Sequence, residues 1–150
     1  GAALPAAAVL SYTGEGMPLI YNGQEAGNPK RLAFFEKDPI VWRDHPMAKL
    51  YADLARMRKA NPALWNSEWG ARMIKVPNSA PDAVLSFVRQ NARNKVFTVI
   101  NFSPKAQNVR FDEALHHGDY KEFFSGTHMR FPLAKELSLP AWSYRIYTGK

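Results

Sequence analysis

Hydrophobic and polar positions follow two different periods along the chain, and the period changes close to residue 69. Residues 1–68 carry apolar positions at helical spacing and one short, continuous apolar run. From residue 69 onward, apolar and polar residues alternate in short runs separated by turn-forming residues. A period of 3.6 residues is typical of an amphipathic helix, and a period of two is typical of a half-buried strand. The pattern therefore predicts two parts, 1–68 and 69–150, of different fold class.

The first part begins with elements that resemble half of an α/β repeat. The Ala-rich segment 3–12 predicts a helix that ends at Gly14 and Gly16. The apolar run Met17–Tyr21 has the length of a strand and shows no alternation, which favours a strand covered on both faces. Residues 28–43 predict a long loop, and loops of that length often carry binding or catalytic residues.

A second helix is predicted over residues 47–60, where apolar residues recur at helical spacing. Asp44 is the expected N-cap, and Pro46 fits the first turn. Basic residues such as Arg58 near the end of the helix favour the negative end of its dipole. The helix is expected to stop at Asn61-Pro62, because proline does not continue a helix.

The second part predicts an antiparallel β-sandwich built from short strands. Proline, glycine and asparagine separate the strand-like runs. The predicted strands are 70–76, 83–90, 96–102, 108–111, 120–124, 128–131 and 141–148.

Composition and charge exclude several classes of protein. Hydrophobic residues at 46% and charged residues at 22% are ordinary for a globular domain, and the absence of cysteine excludes disulfides and thiolate sites. Most of the +7 net charge lies in 69–150. The basic residues there form no tract, so we expect a solvated basic surface and no nucleic-acid or membrane partner. These scattered residues are Arg72, Lys75, Arg89, Arg93, Lys95, Lys105, Arg110, Lys121, Arg130 and Arg145.

Few residues suggest chemistry by their spacing. Four carboxylates, Glu25, Glu36, Asp38 and Asp44, lie near one another in sequence, but nothing in that spacing enforces the facing pair that glycoside hydrolysis needs. Glu25 differs because it directly follows the predicted buried strand, at the strand end where α/β barrels place function. The others are better explained as loop charges or as the helix cap.

Histidine and tryptophan give weaker signals. His116 and His117 are adjacent and would point to opposite faces of a strand, while His45 and His128 lie far off, so no metal site is predicted. Trp42, Trp65 and Trp69 could stack on sugar rings, although tryptophan is more often a core or interface residue. No cofactor is predicted in this chain.

Three segments carry a resemblance to a known family. The segment from Gly16 to Glu25 (GMPLIYNGQE) resembles the eighth-strand region of the alpha-amylase family, glycoside hydrolase family 13. The helix that ends in RKANPAL, from Arg58 to Leu64, follows in the order that the family shows. The runs from Val96 to Ser103 (VFTVINFS) and from Leu139 to Tyr147 (LPAWSYRIY) resemble its C-terminal sandwich, domain C.

The resemblance implies a fold for each of the two parts and a position for the catalytic residues outside this chain. Residues 1–68 would form the end of a (β/α)8 barrel, incomplete in this chain, and 69–150 an all-β antiparallel Greek-key sandwich. The three catalytic carboxylates of the family lie on barrel strands four, five and seven, which would precede Gly1. The resemblance therefore implies no catalytic residue in this chain, whose partner would be the upstream part of the same barrel, covalently attached or docked.

The resemblance implies that this chain is the C-terminal part of a retaining glycoside hydrolase that acts on α-glucans such as starch and maltodextrins. The loop after the last barrel strand would line the substrate cleft, with Gln24, Glu25, Asn28 and Arg31 as candidate contacts. Two alternatives stay open: a non-catalytic module that binds glucan or stabilises a barrel, and a related transglycosylase or isomerase. Calcium dependence and the cellular compartment stay open for the full protein, which we expect to be soluble.

Overall fold

A computed structural model describes residues 1–150 and contains two α-helices and eight β-strands. Two short 3-10 turns, Pro62–Leu64 and Ser67–Trp69, join the helical part to the strands. The helices are α1 (Leu4–Thr13) and α2 (Pro46–Ala60). The strands are β1 (Met73–Lys75), β2 (Val84–Gln90), β3 (Lys95–Asn101), β4 (Gln107–Arg110), β5 (Gly118–Glu122), β6 (His128–Phe131), β7 (Glu136–Leu139) and β8 (Tyr144–Gly149).

All strand pairs are antiparallel, and the strands form two sheets. The larger sheet has the order β1-β2-β3-β8-β5-β6, and the smaller one pairs β4 with β7. Strand β3 lies in the middle of the large sheet, where Thr98 is opposite Phe87 on one side and Ile146 on the other. Every residue of β3 is buried. Strand β3 is therefore covered on both faces of the large sheet.

The large sheet is covered on both faces, so the molecule has three layers. On one face Val96, Ile100 and Ile146 pack with α1 and α2 in a single hydrophobic cluster. On the other face Phe97 and Tyr147 pack against the β4-β7 sheet. Alternate residues of β3 thus enter different cores, as the period of two requires. Burial on both faces explains why this strand reads as an almost continuous apolar run.

The predicted antiparallel β-domain is confirmed, with one omission. Each of the seven predicted runs overlaps an observed strand. Strand β7 is the one that sequence reasoning missed. Its Leu137 and Leu139 alternate with exposed polar residues, but four residues beside a proline-containing turn give a weak periodic signal.

The segment Met17–Tyr21 is not the buried strand that its apolar run predicts. It contains no regular structure, and Met17 and Leu19 are 82% and 78% exposed. A β-strand needs hydrogen-bonded neighbours, and no other strand of this chain lies beside the segment. The prediction of a buried strand is therefore wrong for this chain.

The helix boundaries are close to those predicted, but the cap of α2 is different. His45, with extended backbone angles, accepts a hydrogen bond at Nδ1 from the Met47 amide at 3.2 Å. Asp44 is one residue too early to cap the helix, and its side chain is exposed. Helix α1 ends at Gly14 as predicted, followed by Gly16 with φ of 96°. Neither helix is long and apolar enough to cross a membrane.

Candidate functional site

The four candidate cleft residues lie in the connection between the exposed run Met17–Tyr21 and α2. This connection starts with a tight turn in which the amide of Gln24 donates to the carbonyl of Tyr21, and the amide of Asn28 donates to that of Gly23. Gly27 has φ of 66°, and a Cβ there would lie 2.4 Å from the His45 ring. The two ends of the connection are therefore packed directly against each other.

Gln24 holds this turn against the second helix. Its side-chain oxygen accepts hydrogen bonds from the Tyr21 amide at 2.8 Å and from the Tyr51 hydroxyl, on α2, at 3.5 Å. Because both bonds use the same oxygen, the side-chain amide nitrogen of Gln24 remains available for a ligand.

Glu25 lies beside a cavity of about 460 Å³ that includes Trp42, Arg43 and Asp44 in its lining. Its carboxylate oxygen Oε2 is buried and has no hydrogen-bond partner. Burial raises the pKa of the neighbouring Tyr51 hydroxyl, and the charge of Glu25 raises it further. A buried carboxylate oxygen without a donor is costly, so this position favours a partner from outside the chain.

Asn28 and Arg31 show fewer features of a binding site than Gln24 and Glu25 do. The Asn28 side chain bonds to the backbone amide and carbonyl of Lys30, which shapes a local turn. Arg31 is exposed. The turn brings Gln24, Glu25 and Asn28 into one stretch of backbone, but no side-chain hydrogen bond joins any two of the four candidates.

Two features of this connection were missed by sequence reasoning. Arg43 donates from Nε to the carbonyl of Ala26 and from Nη2 to that of Gly27, both at 3.0 Å, and so ties the end of the connection to its start. Lys30 forms an ion pair with Asp38, and this contact holds the pKa of the Asp38 carboxyl below its usual value. The Arg43 bonds join residues 17 and 16 positions apart, and the ion pair joins residues 8 positions apart; no helix or strand period signals such contacts.

The Lys30–Asp38 pair closes a loop that presents two aromatic rings. Phe34 and Phe35 are 89% and 93% exposed, and their rings meet edge to face with centroids 4.7 Å apart. The amide of Ala33 donates to Asp38 at 2.9 Å inside this loop. The loop tip is therefore an apolar surface on a loop that the contacts of Asp38 close.

Two buried arginines bind the segment where α1 ends, and one of them, Arg89, joins that segment to the β-domain. Arg58 donates to the carbonyls of Tyr12 at 2.8 Å and Gly16 at 2.6 Å. Arg89, on β2, donates to the carbonyl of Gly14 at 2.7 Å, where α1 ends. The C-terminal end of a helix carries partial negative charge, so both guanidinium groups lie where that charge favours them.

The predicted solvated basic surface is wrong for Arg89 and Lys95. Arg89 is 2% exposed, and burial together with the nearby Arg58 lowers its pKa to about 10. Lys95 is also buried and donates to the carbonyl of His117 at 2.8 Å. The alternation of residues along β2 could have indicated that Arg89 is buried, because Arg89 lies on the same face of the strand as the buried Phe87.

His116 lies in the sandwich core and not on a surface. Its ring centroid is 5.1 Å from that of Phe97, 4.9 Å from that of Phe111 and 5.1 Å from that of Phe131. Its Nδ1 atom has no hydrogen-bond partner. Burial lowers the pKa of His116 to about 4, and the neighbouring His117 and Lys95 add to that effect.

This burial predicts a loss of stability in mild acid. The pKa of His116 is lower in the folded chain than the value of about 6.5 in an unfolded chain, so the unfolded state binds the proton first as pH falls. Between pH 6.5 and pH 4 the free energy of unfolding should therefore decrease, by up to about 3 kcal/mol from this group. Urea unfolding at several pH values measures it. The His116→Phe variant should lose most of this dependence, while the exposed His128→Gln variant should keep it; equal slopes in both variants would contradict the assignment.

Comparison with known proteins places the β-domain in a family. Residues 74–146 match the family model described as Maltogenic Amylase, C-terminal domain. This match covers most of the region from β1 to β8. Together with the relatives and solved structures below, it shows that the β-domain is a C-terminal domain of the alpha-amylase family.

Curated relatives extend the similarity into the helical part. Alpha-amylase 2 of Dictyoglomus thermophilum is 25% identical in a 133-residue alignment that covers 80% of this chain and 21% of the relative. The 1,4-alpha-glucan branching enzyme GlgB of Prochlorococcus marinus is 30% identical in a 130-residue alignment that covers 79% of this chain and 17% of that enzyme. The chain thus spans about a fifth of the length of these relatives.

Solved structures share the fold across nearly the whole chain. The noncanonic maltogenic alpha-amylase AmyB from Thermotoga neapolitana superposes with a TM-score of 0.81 at 20% identity, over 99% of this chain and 36% of that protein. An Anoxybacillus alpha-amylase superposes with a TM-score of 0.75 at 19% identity, over 97% and 32%. These structures show the shared fold, and the family model with the curated relatives confirms the resemblance stated from the sequence, at the level of a C-terminal domain of the alpha-amylase family.

Proposed function

We propose that this chain is the C-terminal part of an alpha-amylase-type glycoside hydrolase that acts on α-glucans such as starch and maltodextrins. The catalytic carboxylates would lie in a preceding part of a longer protein. The match to a maltogenic amylase C-terminal domain and the short share of each relative that the chain spans support this proposal.

The observation that carries the proposal is the exposed apolar run Met17–Tyr21. It lies between two helices that are already packed on the sheet, and its apolar side chains face solvent. Exposed apolar surface of this kind indicates a missing partner. The preceding strands and helices of a (β/α)8 barrel would cover it, and Met17–Tyr21 would then become the last barrel strand.

In that arrangement the connection after the run would lie at the mouth of the barrel. Gln24, Glu25, Asn28 and Arg31 are then proposed to contact substrate or the residues that position it. The unpartnered Oε2 of Glu25 supports such a role, since it needs a donor that this chain does not provide. Arg43 and Tyr51 would keep the connection in place.

The proposed reaction is a double displacement in which two carboxyl groups of the preceding part act on either side of the glycosidic bond. One would act as nucleophile and form a glycosyl-enzyme, and the other would protonate the leaving oxygen and later activate water. The anomeric configuration is retained in this sequence of steps.

The test is to express the longer gene product and follow its action on maltoheptaose by proton NMR. Retention predicts that the α-anomer of the new reducing end appears first. Initial release of the β-anomer, or no release of reducing ends from any α-glucan, would contradict the proposal. The 150-residue chain alone serves as the control and should release none.

Transfer to a sugar acceptor is the second candidate reaction. One relative is a branching enzyme, and one solved neighbour, CldA, is a cyclomaltodextrin glucanotransferase. The same NMR experiment separates the two reactions, because transfer yields longer, cyclic or branched products without a matching rise in reducing ends.

The division into 1–68 and 69–150 is also a proposal. The sandwich core between the two sheets lies wholly within the second part. We therefore expect fragment 69–150 to unfold in one cooperative transition, which circular dichroism would measure. Its melting temperature should be lower than that of the whole chain, because Val96, Ile100 and Ile146 lose their cover from α1 and α2. A broad, non-cooperative transition of the fragment would contradict the boundary.

A further inference from the structure

An Asn-Gly pair lies in the turn between the exposed run Met17–Tyr21 and the candidate cleft residues. The turn spans residues 21–24 and is closed by a hydrogen bond from the Gln24 amide to the Tyr21 carbonyl at 2.9 Å. Asn22 and Gly23 are its two central residues. Gly23 has φ of 92°, in the left-handed region that favours glycine.

Neither functional group of this pair is held by a hydrogen bond. Asn22 is exposed, and its side-chain carboxamide bonds to no other group of the chain. The backbone amide of Gly23 donates to no carbonyl. A Cβ at position 23 would lie 3.0 Å from Cβ of Asn28 and 3.2 Å from Cγ2 of Ile40, which with the positive φ favours glycine there. Because glycine has no side chain, nothing on Gly23 shields its nitrogen from the neighbouring carboxamide.

The other asparagines of the chain lack this combination. The chain contains nine asparagines, and Asn22 is the only one followed by glycine. Seven of the other eight use their side chains in hydrogen bonds within the chain. The eighth, Asn108, is exposed on β4 and precedes Val109, which is β-branched and completely buried. Asn108 therefore shares the unbonded side chain of Asn22 but has a neighbour that hinders attack.

We propose that Asn22 is a site of spontaneous deamidation, in which the backbone nitrogen of Gly23 is the nucleophile. After a base removes its proton, this nitrogen bonds to Cγ of Asn22. The Cγ–Nδ2 bond breaks, the leaving nitrogen takes a proton from water, and ammonia is released. Water then opens the resulting cyclic imide at either carbonyl, which leaves aspartate or isoaspartate at position 22. The net reaction consumes one water and releases one ammonia, with no change of oxidation state.

The modification would alter the turn that holds two of the candidate cleft residues. In isoaspartate the main chain runs through the former side chain, which adds one backbone atom before Gly23. The bond that closes the turn and the bond from the Tyr21 amide to Oε1 of Gln24 at 2.8 Å both depend on the normal spacing of residues 21–24. Each product also places a new negative charge three residues before Glu25. On the proposed function, deamidation would therefore displace Gln24 and Glu25, although the reaction itself does not depend on that function.

The test is incubation of the 150-residue chain in mildly alkaline buffer made with heavy-oxygen water. Digestion in ordinary water at acidic pH and peptide mass spectrometry follow, so that incorporated heavy oxygen marks conversion in the intact chain and not during digestion. Position 22 should convert at least about tenfold faster than Asn108. Its products should elute as two peptides, aspartate and isoaspartate. The rate should increase with pH, because the deprotonated nitrogen is the nucleophile.

The matched variant is Asn22→Gln, which keeps the carboxamide but would have to close a larger ring, and its position 22 should stay unconverted over the same period. The unmodified chain is also incubated in guanidinium chloride, where it is unfolded. Because the fold leaves both groups unbonded, the folded chain should convert within about tenfold of the unfolded rate.

Three results would overturn the proposal: no conversion of position 22 in the folded chain, equal rates at Asn22 and Asn108, or a folded chain that is slowed by more than about tenfold. All three are measured on the unmodified chain, so a variant that fails to fold does not block the test. Failure here would leave the proposed hydrolase function intact, because that function is measured on the longer protein by the release of reducing ends.

Discussion

Replacing Phe97 by alanine is expected to lower the free energy of unfolding by about 3–5 kcal/mol. Phe97 is completely buried on β3, at the centre of the sandwich core. Five aromatic rings lie within 6.3 Å of its ring centroid, and alanine would leave a cavity between them. The surrounding rings are Phe111, His116, Tyr120, Phe131 and Tyr147.

The effect can be measured by urea unfolding of the 150-residue chain followed by near-ultraviolet circular dichroism, which reports on packed aromatic rings. A domain of this size is stabilised by about 5–15 kcal/mol, so the variant should lose a large share of its stability and unfold at a clearly lower urea concentration. The matched control is Phe34→Ala, which removes the same side chain from an exposed loop and should change stability by about 0.5 kcal/mol or less. Similar losses in both variants would show that the ring cluster is not the core of the fold.

Replacing Arg89 by methionine is expected to destabilise the chain by about 2–4 kcal/mol, and to do so at the junction between its two parts. Arg89 donates to the carbonyls of Ala71 at 2.8 Å, Leu64 at 3.1 Å and Trp65 at 2.9 Å, in addition to that of Gly14. Methionine fills a similar volume but leaves these buried carbonyls without a donor, and unsatisfied buried acceptors are costly.

Chemical unfolding and hydrogen exchange together test this expectation. Amides of α1 and of the turn 62–69 should lose protection more than those of β3, because their anchoring contact is removed. Arg89→Lys should recover only part of the loss, since an ammonium group has three donors and cannot reproduce the planar arrangement of guanidinium. The exposed Arg110→Met change, on β4, is the control and should have little effect. Equal protection of α1 in Arg89→Met and in the unmodified chain would contradict the junction role.

Sequence patterns predicted those elements of the fold whose pattern lies within a few neighbouring residues. The strands around Phe87 and Phe97 were found because apolar runs and turn residues are local features. Strand β7 was missed because its four residues gain their stability from pairing with β4, a contact between distant segments. The run Met17–Tyr21 was misassigned because an apolar pattern predicts burial without saying which surface covers it.

The sequence proposed a location for the candidate site but not the contacts that hold it. The motif around Gln24 and Glu25 drew attention to the connection before α2 because it resembles a known family, and the role of that connection stays a prediction. The anchoring contacts of Arg43 and Tyr51 were not predicted, because they join residues 17 and 27 positions apart, respectively.

The sequence by itself determined both helices, seven of the eight strands, the change of period near residue 69 and the resemblance to the alpha-amylase family. Each of these follows from propensity, periodicity or a local motif, which act over a few residues. Only the tertiary structure decided that Arg89 and His116 are buried, that β4 and β7 form a separate sheet, and that Met17 and Leu19 stay exposed. Burial depends on which distant segments meet, because desolvation and packing are properties of the assembled layers and not of any one stretch of sequence.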